Sequence, residues 1–301
     1  MKFGYECGAC LLRQACEDID LSCDDEKLKF EIMNEVFAYI AENFSNENNA
    51  NRTASIMHHI IKNKTGCEDA YHNEKIKGNE LALKYLPKVK EMLKDQDTLE
   101  NYVKISIIGN MLDLAVFAID EDIEPYIVEA LENDLVIKDI EEFEKSLKKY
   151  DKVLYLVDNA GEIVFDRLLL GKIKEYDLDI TIAVKSEPIL NDACMAEAIE
   201  AGLDEFGEIV GTGCGTIGYV DSEISEEFRE IFNSHEFIIS KGMGNYEGFT
   251  EIDLSDKDLY YLLCAKCAPV ARDIGINLRD MILLKNKWFR LNPDIWKSLQ
   301  L

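Results

Sequence analysis

Proline, tryptophan and arginine are scarce in this chain of 301 residues, which holds five Pro, two Trp and seven Arg. So few prolines, and no Gly/Ser tract, exclude long disordered linkers. No run of about 18 apolar residues occurs, so no helix is expected to span a membrane. The segment from Met1 to Cys16 carries Glu6, Arg13 and three Cys and lacks an apolar stretch, so it does not read as a signal peptide, and the expected compartment is cytoplasmic. Positive charge is short as well: 33 Lys+Arg face 59 Asp+Glu, a formal net charge of -26. Such a surface repels phosphate backbones and anionic membranes, so neither is an expected partner. The four His form no His-Glu-x-x-His motif and read as surface or packing residues. A Gly-x-Ser-x-Gly and a Walker A motif are both missing, and Gly211-x-Gly213-x-Gly215 lacks the dinucleotide-binding form.

What is present describes a globular chain, 47% hydrophobic and 31% charged, able to bury a sizeable core. The first hundred residues have helical periodicity. Phe30, Met33, Val36, Phe37, Ile40, Ala41 and Phe44 recur at the 3.6-residue period, with Asp24 or Asp25 as the cap. Residues 51–62 and 74–93 repeat the pattern, the second with a break expected at Leu86-Pro87. Asp97 is the expected cap of a further helix running to about Ile119. The pattern changes after Lys149. Short apolar runs at 152–157, 179–184, 236–240 and 258–264 read as strands, with helices at 162–174, 193–201 and 226–232. Strands alternating with helices imply crossovers and a mostly parallel sheet. The expected division is a mainly helical domain over 1–100, its first residues free to pack on an α/β domain over 101–301 that carries the active site.

In an open α/β sheet, ligands bind beyond the carboxyl ends of the strands. Asp158-Asn159-Ala160-Gly161-Glu162 follows the first apolar run, with Asp166 one helical turn on. Pro188 and Asn191-Asp192 follow the second, and Lys241-Gly242-Met243-Gly244-Asn245 the third. Each alone is an ordinary cap, turn or loop lysine; together they form one expected site. Asp158, Asn159 and Asp192 supply hard oxygen ligands suited to Mg²⁺ or Mn²⁺. Lys241 is a point charge suited to a phosphoryl oxygen. Glu162 is the expected water-positioning group, unless it merely serves the helix dipole, and Asp166 its hydrogen-bonding neighbour. These are the parts of a metal-assisted phosphoryl-transfer site.

At these residues the chain resembles the domain-of-unknown-function 89 family, the metal-dependent damage-control phosphatases. Asp158-Asn159-Ala160-Gly161-Glu162 with Asp166, then Pro188 with Asn191-Asp192, then Lys241-Gly242 with Asn245-Tyr246 are similar to its motifs in order. Gly109-Asn110-x-x-Asp113 and Cys7-x-x-Cys10 resemble its prokaryotic, cysteine-bearing branch. The resemblance implies a three-layer α/β/α domain with a mainly helical region attached. It implies hydrolysis of small phosphorylated metabolites, such as phosphosugars, with a divalent ion (Mg, Mn, Co or Ni) held by Asp158, Asn159 and Asp192. It also implies that Lys241 faces the phosphate. Asn245, Asn110 and Asp113 are expected on the substrate side, the last two alternatively as a buried hydrogen-bond network.

The nine Cys, odd in number, argue against a secreted disulfide framework. Cys7/Cys10 and Cys264/Cys267 share the C-x-x-C spacing of a Cys₄ site, which would hold Zn or Fe or act as a redox cluster. The alternative is four buried apolar thiols. Two other functions stay open: an S-adenosylmethionine-dependent carboxyl methyltransferase, an activity also ascribed to part of this family, and a non-enzymatic metal- or redox-sensing module built on the Cys pairs. The substrate, the native metal and the oligomeric state are not legible.

Overall fold

The computed structural model describes residues 1–112 and 122–286. In chain order it runs α1 (Cys7–Ser22), α2 (Glu26–Asn43), α3 (Ala50–Thr65), α4 (His72–Lys94), α5 (Leu99–Leu112) and α6 (Glu124–Glu132). The chain then alternates: β1 (Ile137–Lys138), α7 (Ile140–Lys149), β2 (Lys152–Leu156), α8 (Glu162–Lys174), β3 (Asp179–Val184), α9 (Met195–Glu200) and β4 (Glu208–Gly211). It continues through α10 (Glu226–Ser234), β5 (Phe237–Lys241), α11 (Gly242–Phe249), β6 (Asp258–Cys264), α12 (Ala268–Ile274) and β7 (Met281–Lys285).

The strands form one seven-stranded sheet in the order β1-β7-β6-β5-β2-β3-β4. Every pairing is parallel except β6 with β7. Alternation along the strands divides the core. Val153, Tyr155 and Val157 face a layer built from α4, α5 and α8, while Leu154 and Leu156 face a layer from α10 and α11. This is the expected α/β/α arrangement. Helices α1–α3 share a further apolar cluster around Ile32, Val36, Met57 and Ile61.

The expected cap at Asp25 forms: its carboxylate accepts from the Lys27 and Leu28 N–H groups. Two local expectations fail. The helix does not break at Pro87, which sits inside α4 on its exposed side. A mid-helix proline costs about 3 kcal/mol, but Leu86, Val89 and Leu93 on the opposite face are buried, and each such burial returns about 1.5–3 kcal/mol. The cap of α5 is Thr98, whose hydroxyl accepts from the Asn101 N–H, because Asp97 instead pairs with Lys172 at 3.0 Å. The continuation toward Ile119 lies outside the described residues.

The topology creates one distinctive place. From β2 the chain steps through α8 to β3 and on to β4; it then returns to β5 on the other side of β2 and continues to β6. Connections therefore leave in opposite directions on either side of the β2/β5 boundary, the point where open sheets form a crevice at their carboxyl ends.

Candidate functional site

The two loops after β2 and β3 are fastened together by backbone. Ala193 N donates to Asp158 O and Ala160 N to Asn191 O, both at 2.9 Å, and Asn159 and Asp192 form an isolated antiparallel bridge. Asp158, Asn159 and Asp192, far apart in sequence, thus come side by side at the crevice.

The third element is α5. At Gly109 it presses on the first turn of α8 so closely that a β-carbon there would stand 2.8 Å from Glu162 Cα. This crossing delivers Asn110, whose amide Nδ2 donates to Asp158 Oδ2 at 2.6 Å and to Glu162 Oε2 at 2.7 Å. Asp113, the other member of that motif, lies outside the described residues.

Lys241 ends β5 beneath this pair and is fully buried. Its ammonium donates to Glu162 Oε1 at 2.5 Å, Asp166 Oδ1 at 2.6 Å and the Ser106 carbonyl at 2.9 Å. Three acceptors use all the protons an ammonium has. Tyr155 adds a hydrogen bond to Asp166 Oδ1 at 2.9 Å, and Asp166 meets Glu162 through the Lys241 ammonium they share. Glu162 is equally buried. Asn245 is buried too, and its amide donates to the Val157 and Lys241 carbonyls at 3.2 and 2.9 Å, tying the ends of β2 and β5 together.

Charge is unevenly balanced here. Burial, reinforced by the facing Glu162 and Asp192, holds the Asp158 carboxyl well above the usual carboxylate range; Lys266 and Lys185 pull weakly the other way. Burial likewise pushes Asp192 up to about 6, against the pull of Lys185, whose ammonium stands 3.7 Å from Asp192 Oδ2. Burial also raises Asp166 to about 7 despite Lys241. Asp192 Oδ2 and Asn110 Oδ1 are buried without a hydrogen-bond partner. Buried acids with idle oxygens favour an added cation, and the donor set of two carboxylates and an amide oxygen fits a hard divalent ion.

Asp158, Asn159 and Asn110 form one end of a cavity of about 340 Å³. Glu162, Lys241 and Asp192 stand behind that wall rather than in it. Cys7, Cys10 and Cys267 line the same cavity. Cys264 instead points into the core beneath the sheet. The two C-x-x-C pairs therefore meet only in part. Burial pushes the Cys264 and Cys267 thiols up to about 11, keeping them neutral. Among the described residues, the group of acidic, thiol and imidazole side chains close enough to hold a metal is Asp69, His72 and Glu197, away from this cavity. There Lys75 already bridges Asp69 and Glu197 at 2.6 and 3.0 Å.

Sequence reasoning did not find Asn79. This fully buried residue of α4 accepts from the Gly161 N–H at 2.7 Å and donates to the Glu197 carbonyl at 3.2 Å, bracing the turn that carries Asp158. A polar residue among the apolar positions of that helix was its one signal. Lys266, also passed over, lies between the paired cysteines that drew attention to that segment.

Comparison with known proteins identifies the family and the fold. A family model described as the damage-control phosphatase ARMT1-like domain matches residues 4–282. An uncharacterized protein of Methanocaldococcus jannaschii is 39% identical, covering 95% of this chain and 96% of its own length. A protein of Archaeoglobus fulgidus named damage-control phosphatase is 36% identical, covering 94% and 98%. The crystal structure of a DUF89 family protein from Pyrococcus horikoshii superposes with a TM-score of 0.87 at 31% identity, covering 95% of this chain and all of that one.

Proposed function

The chain belongs to the damage-control phosphatase ARMT1-like domain family, and we propose that it is a divalent-metal-dependent phosphatase acting on small phosphorylated metabolites. The observation that carries this reading is the placing of Asp158 and Asn159 in the cavity wall with Asp192 Oδ2, buried and without a hydrogen bond, behind them, at the switch point of the sheet. Asp158, Asn159 and Asp192 would hold the ion; Mg²⁺ and Mn²⁺ suit these oxygen donors, and Co²⁺ or Ni²⁺ can substitute. Once bound, it supplies positive charge to the phosphoryl oxygens and acidity to the attacking water.

The chain's own residues position this centre. Asn110 holds one Asp158 oxygen and one Glu162 oxygen, fixing the Asp158 carboxylate toward the cavity. Lys241 holds the other Glu162 oxygen. Since Glu162 and Lys241 have no exposed surface, their proposed role is support: Lys241 holds Glu162 in place, and Glu162 in turn orients Asn110. The cavity's size lies at the low end of small-molecule pockets, which run from about 300 to 1,000 Å³. Phosphosugars and phosphorylated cofactors, screened with Mg²⁺, Mn²⁺, Co²⁺ and Ni²⁺, provide the test. The expected result is metal-dependent release of phosphate that Asp158→Ala abolishes. Failure of every ester with every metal would overturn the reading.

A further inference from the structure

The oxygen-donor centre at Asp158 uses neither C-x-x-C motif, yet the fold brings three of their four thiols to one cavity, those of Cys7, Cys10 and Cys267. Cys7 opens α1, and Cys10 follows one turn later on the same face. Cys267 stands at the N-cap of α12, arriving from the other end of the chain. The two segments are fastened to each other. Glu6 pairs with Arg272 of α12 at 2.8 Å, and Gly4 lies so close to Pro269 that a β-carbon there would stand 3.2 Å from Pro269 Cγ. The Met1 ammonium pairs with Glu251, just beyond α11, at 2.8 Å. All nine cysteines are free thiols.

The charges that these thiols would meet have one sign. A thiolate at Cys267 faces Glu247, Cys7 and Cys10, and one at Cys7 faces Glu247, Cys10 and Glu6. Burial, together with these neighbours, holds both thiols above the usual range. Glu6 and Glu247 lie in the same cavity wall, and Glu6 Oε2 is buried without a hydrogen-bond partner. Clustered sulfurs beside an idle carboxylate oxygen favour an added cation, and sulfur selects a soft or borderline one.

We propose that Cys7, Cys10 and Cys267 form a binding site for a thiophilic divalent ion of the zinc class, separate from the oxygen-donor site. Three thiolates supply three corners of a tetrahedron, and the fourth is open to water. Each thiol gives up its proton as its sulfur bonds the ion, so about three protons leave for each ion bound. The sulfurs do not yet stand at the spacing of ligands around one ion. Binding therefore draws them together by rotation about their Cα–Cβ bonds, for which the exposed Cys10 has room. Cys264, packed in the core, takes no part. Mn²⁺, a harder ion, stays with the oxygen donors.

Co²⁺, a spectroscopic stand-in for zinc, provides the test. It is titrated under a phosphine reductant into wild type, Cys7→Ser, Cys10→Ser, Cys267→Ser, Cys16→Ser and Asp158→Asn. Wild type should develop a thiolate-to-cobalt charge-transfer band that saturates at one ion per chain and disappears on adding Zn²⁺. Each Ser variant of the three ligands should lose the band. Cys10→Ser alters an exposed side chain, so its loss reports ligation rather than folding. Cys16→Ser, also exposed, and Asp158→Asn should both keep the band. No charge-transfer band in reduced wild type, or a band that survives all three ligand substitutions, would overturn the site and leave the phosphatase reading untouched. A band that vanishes in a folded Asp158→Asn protein would overturn the separation of the two sites.

Discussion

Gly242 leaves room for Asp158: a β-carbon at residue 242 would stand 1.9 Å from the Asp158 Oδ2 oxygen. Its backbone also lies in the left-handed region, at φ 77°. A side chain here costs roughly 1–2 kcal/mol for the backbone alone, and it must also displace the carboxylate. Gly242→Ala should therefore lower thermal stability and weaken divalent-ion binding together. Wild-type ion affinity in a folded Gly242→Ala protein would show that Asp158 is not held where the site needs it.

Lys241 is the sole ammonium in contact with Glu162 and Asp166 among the described residues. Removing one partner of a buried ion pair typically costs about 3–5 kcal/mol, because the other charge is left uncompensated. Lys241→Met should lose stability on that scale in urea denaturation. Adding Glu162→Gln, which removes one stranded charge, should restore part of it. Additive losses in the double variant would mean the pair is not coupled.

Stability should also fall as pH rises through the weakly acidic range. Burial pushes Glu247 from 4.5 up to about 7, aided by Asp273 and opposed by the N-terminal ammonium. A carboxyl whose folded value is raised binds more protons in the native state than in the unfolded chain, so stability declines between those two values as pH increases. Asp192, raised to about 6, acts in the same direction. In the presence of a chelator, the melting temperature should be higher at pH 5 than at pH 7.5, and Glu247→Gln should flatten part of the slope. An unchanged slope in that variant would remove Glu247 from the account.

The strands that position the site were legible because each is a short, mostly apolar and mostly buried run. β4 was not, being four residues at an edge, nor was the two-residue β1. β7 was missed although its five residues are mostly apolar, and it is the strand that runs antiparallel. Asp158, Asn159 and Asp192 could be placed at one crevice because strand order alone brings loop ends together. The burial of Glu162 and Lys241 could not be foreseen. It depends on how closely α5 crosses α8 at Gly109, a tertiary contact with no periodic signature. The same holds for the cysteines: spacing shows two pairs, but strand alternation turns Cys264 into the core while Cys267 reaches the cavity.

The central claim is that Asp158, with Asn159 and Asp192, holds a divalent ion. Titration calorimetry with Mn²⁺ on wild type, Asp158→Asn and His72→Ala tests it most directly. The account predicts one ion per chain for wild type and for His72→Ala, since Lys75 already occupies the Asp69–Glu197 group, and none for Asp158→Asn. A folded Asp158→Asn protein that binds Mn²⁺ with the wild-type stoichiometry and affinity would contradict it.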